Sequence, residues 1–221
     1  MKIVVITGAN RGIGLELVKK YVSNGDRVFA LCRNPSSKLQ SLDCKIIENI
    51  DVTEFKSLNE AKDQITGNID ILINNAGIMR DESFPLDEND FSSIREQFEV
   101  NALAPLKVVS TFENQLSAGA KIAMITSRMG SITDNTSGGR YGYRASKTAL
   151  NMLSTSLSED LKAREVSVGI FHPGWVQTDM TGGTGHLTAE QSAANLFQRI
   201  EELSLNSTGQ FLHSNGENLP W

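Results

Sequence analysis

The stretch from Met1 to Gly14 constrains this chain more than any other. Lys2 to Thr7 is a run of mostly β-branched residues that reads as a buried strand, and it leads straight into Gly8-Ala9-Asn10-Arg11-Gly12-Ile13-Gly14. Leu15, Leu17, Val18, Tyr21 and Val22 then recur at helical spacing. Strand, glycine-rich turn and helix, in that order, aim backbone N–H groups and the positive end of a helix at a phosphate. The spacing is G-x3-G-x-G rather than the G-x-G-x-x-G of the usual dinucleotide fingerprint, so a tight turn without a ligand stays open at this point.

The same rhythm continues down the chain. Asn24-Gly25 closes the first helix, and strands are expected over Arg27 to Leu31, Lys45 to Ile50, Ile69 to Ile73, Lys121 to Thr126 and Val166 to Phe171, with a short last one near Gln210 to Leu212. Helices are expected over Glu54 to Ile65 and Thr188 to Leu203, and over Asp87 to Lys107 with a break near Ala104-Pro105, because proline removes a ladder hydrogen bond. Alternation of this kind, with no internal repeat or linker, predicts an α/β doubly wound Rossmann fold. Its sheet is expected to be mainly parallel and seven-stranded, with helices on both faces, in one domain spanning 1–221.

Composition narrows the function classes. Apolar residues make up 39% and charged residues 21%, the balance of an ordinary globule. A net charge of −5 argues against nucleic acid or an anionic membrane as partner. No apolar run approaches the roughly 20 residues of a membrane span, and Ile3 to Ile6 is too short for a signal-peptide core. Cys32 and Cys44 lack CxxC spacing, so a reduced cytoplasmic setting is expected. His172, His186 and His213 are scattered without metal-ligand spacing, and no metal is expected.

Where an NAD site carries an acidic residue after the second strand, this chain offers Arg33, with Arg11 in the glycine turn as a second cation. A guanidinium suits a 2′-phosphate, which predicts NADP(H) in preference to NAD(H); a solvated surface arginine is the alternative. Asp51, followed by Val52, either meets an adenine amino group or opens the turn before the next helix. Asn74-Asn75-Ala76-Gly77 after the fourth strand is small enough for close approach to a cofactor.

Tyr143 and Lys147 are candidates for the chemistry, with a solvated helix face as the alternative until the rest of the chain supplies a nicotinamide site and a polarising donor. The apolar positions Ala149, Leu150, Leu153, Leu157 and Leu161 mark a helix, and a spacing of four puts phenol and ammonium on one face of it. A free phenol, with a pKa near 10, is a poor base at neutral pH. A cation beside it favours the phenolate and lets it exchange a proton with a carbonyl or alcohol. Tyr141 has Ala145 four residues on and lacks such a partner.

Thr7-Gly8-x3-Gly12-x-Gly14, Asp51, Asn74-Asn75-Ala76-Gly77, Asn101, Ser127, Tyr143-x3-Lys147 and Pro173-Gly174 with Thr178 stand in the order found in the short-chain dehydrogenase/reductase family, and nearly the whole chain resembles it. The short length, Asn10-Arg11 and the Trp221 ending are similar to the subgroup that holds fly sniffer-type carbonyl reductases and the bacterial C-signal protein. The resemblance implies a catalytic set. Tyr143 is the general acid in reduction, Lys147 lowers its pKa and holds the nicotinamide ribose, Ser127 donates to the substrate carbonyl, and Asn101 positions a water behind Lys147. For the cofactor it implies Gly8, Asn10, Arg11, Gly12, Ile13, Gly14, Arg33, Asp51, Val52, Asn75, Ala76, Gly77, Pro173 and Gly174, with Val176 and Thr178 on the carboxamide, and Tyr143 and Lys147 again. It also implies a small-molecule carbonyl or alcohol substrate, and pairing as homodimer or homotetramer in those relatives that are not single.

Two departures from the family pattern carry expectations. Ser127 and Tyr143 are 16 residues apart, more than usual in the family, which makes Thr133 to Arg140 an inserted loop at the pocket mouth, rich in turn residues and expected to be mobile. The segment after Pro173-Gly174 is short, which predicts an open pocket and loose substrate selection. Ile78, Met79, Met129, Trp175 and Met180 are candidates either for a pocket lining or for the core. Arg80, Arg128, Arg140 and Arg144 flank the site motifs and hint at an acidic substrate or partner. Against the oxidoreductase stands a nucleotide-binding signalling or regulatory protein of the C-signal type. That alternative has no physical need to hold Ser127, Tyr143, Lys147 and Asn101 together.

Overall fold

A run such as Ile3–Thr7 (β1) needs protein on both of its faces, and it lies at the middle of a sheet with Val4, Val5 and Ile6 sealed from solvent. The computed structural model describes residues 1–221. After β1 come α1 (Gly12–Ser23), β2 (Arg27–Leu31), α2 (Ser37–Gln40), β3 (Lys45–Ile47), α3 (Phe55–Gln64), β4 (Ile69–Asn74) and α4 (Glu88–Phe98). The second half holds α5 (Ala104–Phe112), β5 (Leu116–Ile125), α6 (Tyr141–Asp160), β6 (Ser167–His172), β7 (Val176–Gln177), β8 (Leu187–Thr188), α7 (Ala189–Glu202) and β9 (Phe211–His213). The seven-stranded sheet has the order β3-β2-β1-β4-β5-β6-β9, and every pairing in it is parallel.

Successive side chains of a strand point to opposite faces. Val5, Phe29, Leu72, Ile122 and Val168 therefore meet Leu58 of α3, Val108 of α5 and Leu150 of α6 on one face. Val4, Ile6, Ala30, Ile71 and Ile73 meet Leu17 and Tyr21 of α1 and Leu196 and Ile200 of α7 on the other. Strand order reverses between β1 and β4, and the crevice beyond their carboxyl ends is where a doubly wound sheet binds its ligand. No helix is long and apolar enough to cross a membrane.

Several bounds differ from the sequence reading, each for a local reason. β3 stops at Ile47 and not at Ile50, because Asn49 adopts a left-handed conformation (φ 62°) and its N–H turns to the Arg33 carbonyl at 2.9 Å. β5 begins earlier, at Leu116, with a register irregularity opposite Ile69 and Ile71. The expected break at Ala104-Pro105 is instead a single π turn over Glu99–Leu103, with the helix running on either side. Pro105 cannot bond the carbonyl four residues back, that of Asn101, and its ring crowds that oxygen. Widening the turn relieves the clash and sets Asn101 at the widened point.

Candidate active site

The glycine turn is held from the neighbouring strand. The Asn75 carboxamide donates to the Thr7 and Gly8 carbonyls at 3.1 and 3.0 Å, and the Thr7 hydroxyl accepts from Asn75 N and Ala76 N at 3.1 and 3.2 Å. Gly14 permits the approach, because a Cβ there would stand 2.2 Å from the Gly8 carbonyl oxygen. No side chain caps the N-terminus of α1, and the Asn10 side-chain oxygen is buried without a partner. The uncapped N–H groups fit a dinucleotide phosphate, whereas the Asn10 oxygen can only accept and fits a hydroxyl or amino donor of the nucleotide.

At the end of β2 the Arg33 side chain is exposed and makes no ion pair. Asp51 spends one oxygen on the Thr53 hydroxyl and N–H (2.7 and 2.9 Å), and these bonds, ahead of Arg33 and Lys107, hold its carboxyl below the usual range. Its other oxygen makes no bond, so the turn role is present and the adenine role is not displaced by it. Arg11 is less free than its position in the turn suggests. It reaches Asp179 at 3.1 Å, beside Thr178, whose methyl would be 3.4 Å from a Cβ on Gly12. Glycine turn and post-β6 segment thus close on each other. That segment is a two-stranded parallel ribbon, β7 with β8, in which Val176 is buried opposite Leu187. Pro173 is fixed through its carbonyl, which accepts from Ser192 and Ser214 at 2.8 and 3.1 Å.

Tyr143 lies in the first turn of α6, and Lys147 is one turn further along, both buried. Lys147 Nζ is 5.9 Å from the Tyr143 ring centroid and donates to the Ile125 carbonyl at 2.9 Å. Burial pushes its ammonium down to about 8. Burial also pushes the Tyr143 phenol up, against the Ser127 hydroxyl and then the Arg140 guanidinium, which pull it back. The Ser127 oxygen accepts from Met129 N at 3.1 Å, which leaves its hydroxyl hydrogen free to point elsewhere. Gly130 lets this turn pack onto α6, since a Cβ there would be 2.8 Å from the Lys147 carbonyl carbon. Asn101 exchanges bonds with the Ile78 backbone (2.8 and 2.9 Å) and donates to Ser146 at 3.1 Å. A Cβ on Gly77 would sit 3.2 Å from the Asn101 oxygen and 3.7 Å from Lys147 Nζ, so both groups border the same small gap.

Sequence reasoning missed Glu82. It is 2% exposed, accepts from Gly142 N at 3.1 Å and from Ser93 at 2.9 Å, bonds Gln97 as well, and so caps the helix that carries Tyr143. Nothing in spacing marks it, because it lies in a loop sixty positions upstream of its partner. His172 and His213, scattered in sequence, are cross-strand neighbours in edge-to-face contact at 4.9 Å, and burial lowers His172 to about 3. Trp175 and Met180 are about half exposed and belong to no core, whereas Met129 lines a cavity of about 590 Å³. Ser137, Gly138, Gly139 and Arg140 of the long loop line it too.

A doubly wound parallel sheet with an anion-ready glycine turn and a buried tyrosine–lysine pair defines a dinucleotide-dependent oxidoreductase. The family model described as short chain dehydrogenase matches residues 2–188. The chain belongs to the short-chain dehydrogenase/reductase family of NAD(P)-dependent enzymes. It is 36% identical to 1-hydroxy-2-glutathionyl-2-methyl-3-butene dehydrogenase of Rhodococcus sp. (strain AD45) over 100% of both chains. It is 42% identical to C-signal of Myxococcus xanthus over 71% of this chain and 95% of that one. Among solved structures it superposes with TM-score 0.90 and 30% identity on NADPH-bound carbonyl reductase from chicken fatty liver, covering 100% of both. The same score and identity hold for carbonyl reductase Sniffer of D. melanogaster, over 100% of this chain and 99% of that one.

Proposed function

We propose that the protein reduces an aldehyde or ketone carbonyl to an alcohol at the expense of NADPH. The observation that carries this reading is the buried phenol of Tyr143, flanked by Ser127 and by the Lys147 ammonium at the carboxyl edge of the sheet. The glycine turn Gly8 to Gly14, with Asn10 and Ile13, would hold the pyrophosphate; Asp51 and Val52 would face the adenine; Asn75, Ala76 and Gly77 would lie along the nucleotide. Arg33 would take a 2′-phosphate, its free guanidinium standing where an NAD site needs a carboxylate. Arg11 would join it only by leaving Asp179. Pro173, Gly174, Val176 and Thr178 would border the nicotinamide, which when bound supplies the hydride.

Ser127 donates its hydroxyl hydrogen, which otherwise acts on the Tyr143 phenol, to the substrate oxygen and stabilises charge developing there. Tyr143 hands its proton to the same oxygen. Lys147 holds ribose hydroxyls and favours the phenolate left behind. Asn101, at the gap beside Lys147 Nζ, positions a water that returns a proton from solvent. In the reverse direction Tyr143 is the base, and an alcohol is the substrate. One unit spanning 1–221 carries both cofactor and substrate machinery. Free Cys32 and Cys44 accord with a cytoplasmic setting, and pairing through α4 to α6 is the expected route to a homodimer or homotetramer.

The likeness to C-signal favours a second reading, a nucleotide-binding regulatory protein with little turnover. Absorbance at the reduced-nicotinamide band, with NADPH and NADH against a broad set of aldehydes and ketones, separates the two. Carbonyl-dependent loss of absorbance supports the reductase. Tight nucleotide binding without turnover of any carbonyl or alcohol supports the regulator.

A further inference from the structure

Arg80, Arg128, Arg140 and Arg144 all flank the site, but they are not equivalent. Arg80 pairs with Glu96 at 3.4 Å, Arg128 with Asp134 at 2.6 Å and Arg140 with Asp81 at 2.5 Å. Arg144 has no carboxylate. Its guanidinium donates to the Ser137 hydroxyl at 2.8 Å and the Gly138 carbonyl at 3.3 Å, both neutral, and the remaining terminal nitrogen makes no bond. A half-buried cation without a counter-charge forgoes Coulomb energy that an anion would restore.

Arg144 also lines two cavities, which share it with Met129, Gly138 and Gly139. One, of about 590 Å³, is polar apart from Met129 and includes Arg140, whose charge already acts on the Tyr143 phenol. The other, of about 240 Å³, adds Ile132, Tyr141 and Ala145 as an apolar lining. Asp81 and Glu82 border the first cavity but are spoken for, Asp81 by Arg140 and Glu82 by Ser93, Gln97 and the N-terminus of α6. The walls come from Asp81 to Ser83, from Met129 and the loop that runs on to Arg140, and from the start of α6. Ser127 and Tyr143 line neither cavity, and the cation is tied to them through Met129, two residues after Ser127, and through its own place next to Tyr143 in the chain.

We propose that Arg144 anchors a carboxylate on the substrate, making the preferred carbonyl compounds amphipathic acids whose charged end lies away from the reacting carbon. The apolar lining takes the body of such a molecule, and the Arg144 fork takes the acid bidentately. This rests on the carbonyl-reductase reading, and the test separates the two.

With NADPH and the full chain, kcat/KM is measured for benzaldehyde, 4-carboxybenzaldehyde and 4-(trimethylammonio)benzaldehyde. The wild type should prefer the carboxylate over the neutral aldehyde by about tenfold or more, the worth of one charge-assisted hydrogen bond, and the preference should shrink as salt is raised. Arg144→Gln should erase the preference, and Arg144→Glu should turn it toward the cation. No preference in the wild type, a preference indifferent to salt, or the same preference in Arg144→Gln overturns the proposal. Should no aldehyde be turned over, the reductase reading fails, and calorimetric binding of 4-carboxybenzyl alcohol decides the subsite alone. Binding by wild type but not by Arg144→Gln supports it; equal binding, or none by either, overturns it.

Discussion

Lys147 and Tyr143 are a turn apart on α6, yet the ammonium hydrogen-bonds the Ile125 carbonyl at 2.9 Å and lies 5.9 Å from the phenol ring centroid. Both groups are buried, and burial shifts each toward its neutral form. Under the proposed mechanism, activation of the phenol would belong to the loaded enzyme, in which Lys147 would gain ribose hydroxyls as further partners.

Buried Lys147 makes stability depend on pH in a stated direction. Its value of about 8 lies below the ordinary 10.5, so between these two pH values the unfolded chain holds more protons than the folded one. Stability from this group therefore rises with pH across that window, by an amount on the order of 3 kcal/mol, and the cost of the buried charge is fully present below it. Tyr143, raised above its ordinary 10.0, opposes the trend only at the top of the range. Urea unfolding from pH 7 to 10 checks this: Lys147→Met should remove most of the rise, while Lys121, also lowered by burial, keeps a part of it and Cys32 and Cys44, raised by burial, oppose it.

Gly130 sets the distance between the Ser127 turn and α6. Gly130→Ala would place a methyl 2.8 Å from the Lys147 carbonyl carbon, against backbone that cannot swing aside. Overpacking of this kind costs roughly 1–3 kcal/mol, and it displaces Ser127 from Tyr143. The urea midpoint and kcat should fall together; a stable variant of unchanged kcat contradicts the account.

Glu82 caps α6, the helix of Tyr143 and Lys147, through Gly142 N. Glu82→Ala strands that N–H together with its Ser93 and Gln97 partners, and should cost roughly 2 kcal/mol. Glu82→Gln keeps an acceptor oxygen and should lose less. Guanidinium denaturation of both variants reads the order, and equal stability of the two argues against a capping role.

Much of this was legible in the sequence. The β-branched runs and glycine turn specify the doubly wound sheet, because a strand sealed on both faces must be covered by helices. Tyr143 and Lys147 stand out as candidates by residue type and a spacing of four on one helix, whereas Ser127 and Asn101 were marked only by the family resemblance. Asn101 was legible as a residue, but its π turn was not, since Pro105 reads equally as a break. Glu82 and the His172–His213 contact depend on which loops and strands meet, and local spacing carries no record of that. The four flanking arginines looked alike until their partners were known.

The proposed reading of the 2′-phosphate rests on Arg33. Arg33→Ala should raise KM for NADPH by roughly tenfold to a hundredfold, the loss of one or more charge-assisted bonds to a 2′-phosphate, and leave KM for NADH nearly untouched. Steady-state kinetics with both nucleotides measure it. A parallel change in the two would remove the arginine from phosphate recognition.

Tyr143→Phe tests the central claim most directly, because it deletes one oxygen and leaves the ring in its packed place. Carbonyl reduction should fall by at least about a hundredfold, the contribution of a positioned general acid, while NADPH affinity by fluorescence titration stays within a few-fold of wild type. Reduction at the wild-type rate by this variant would contradict the account.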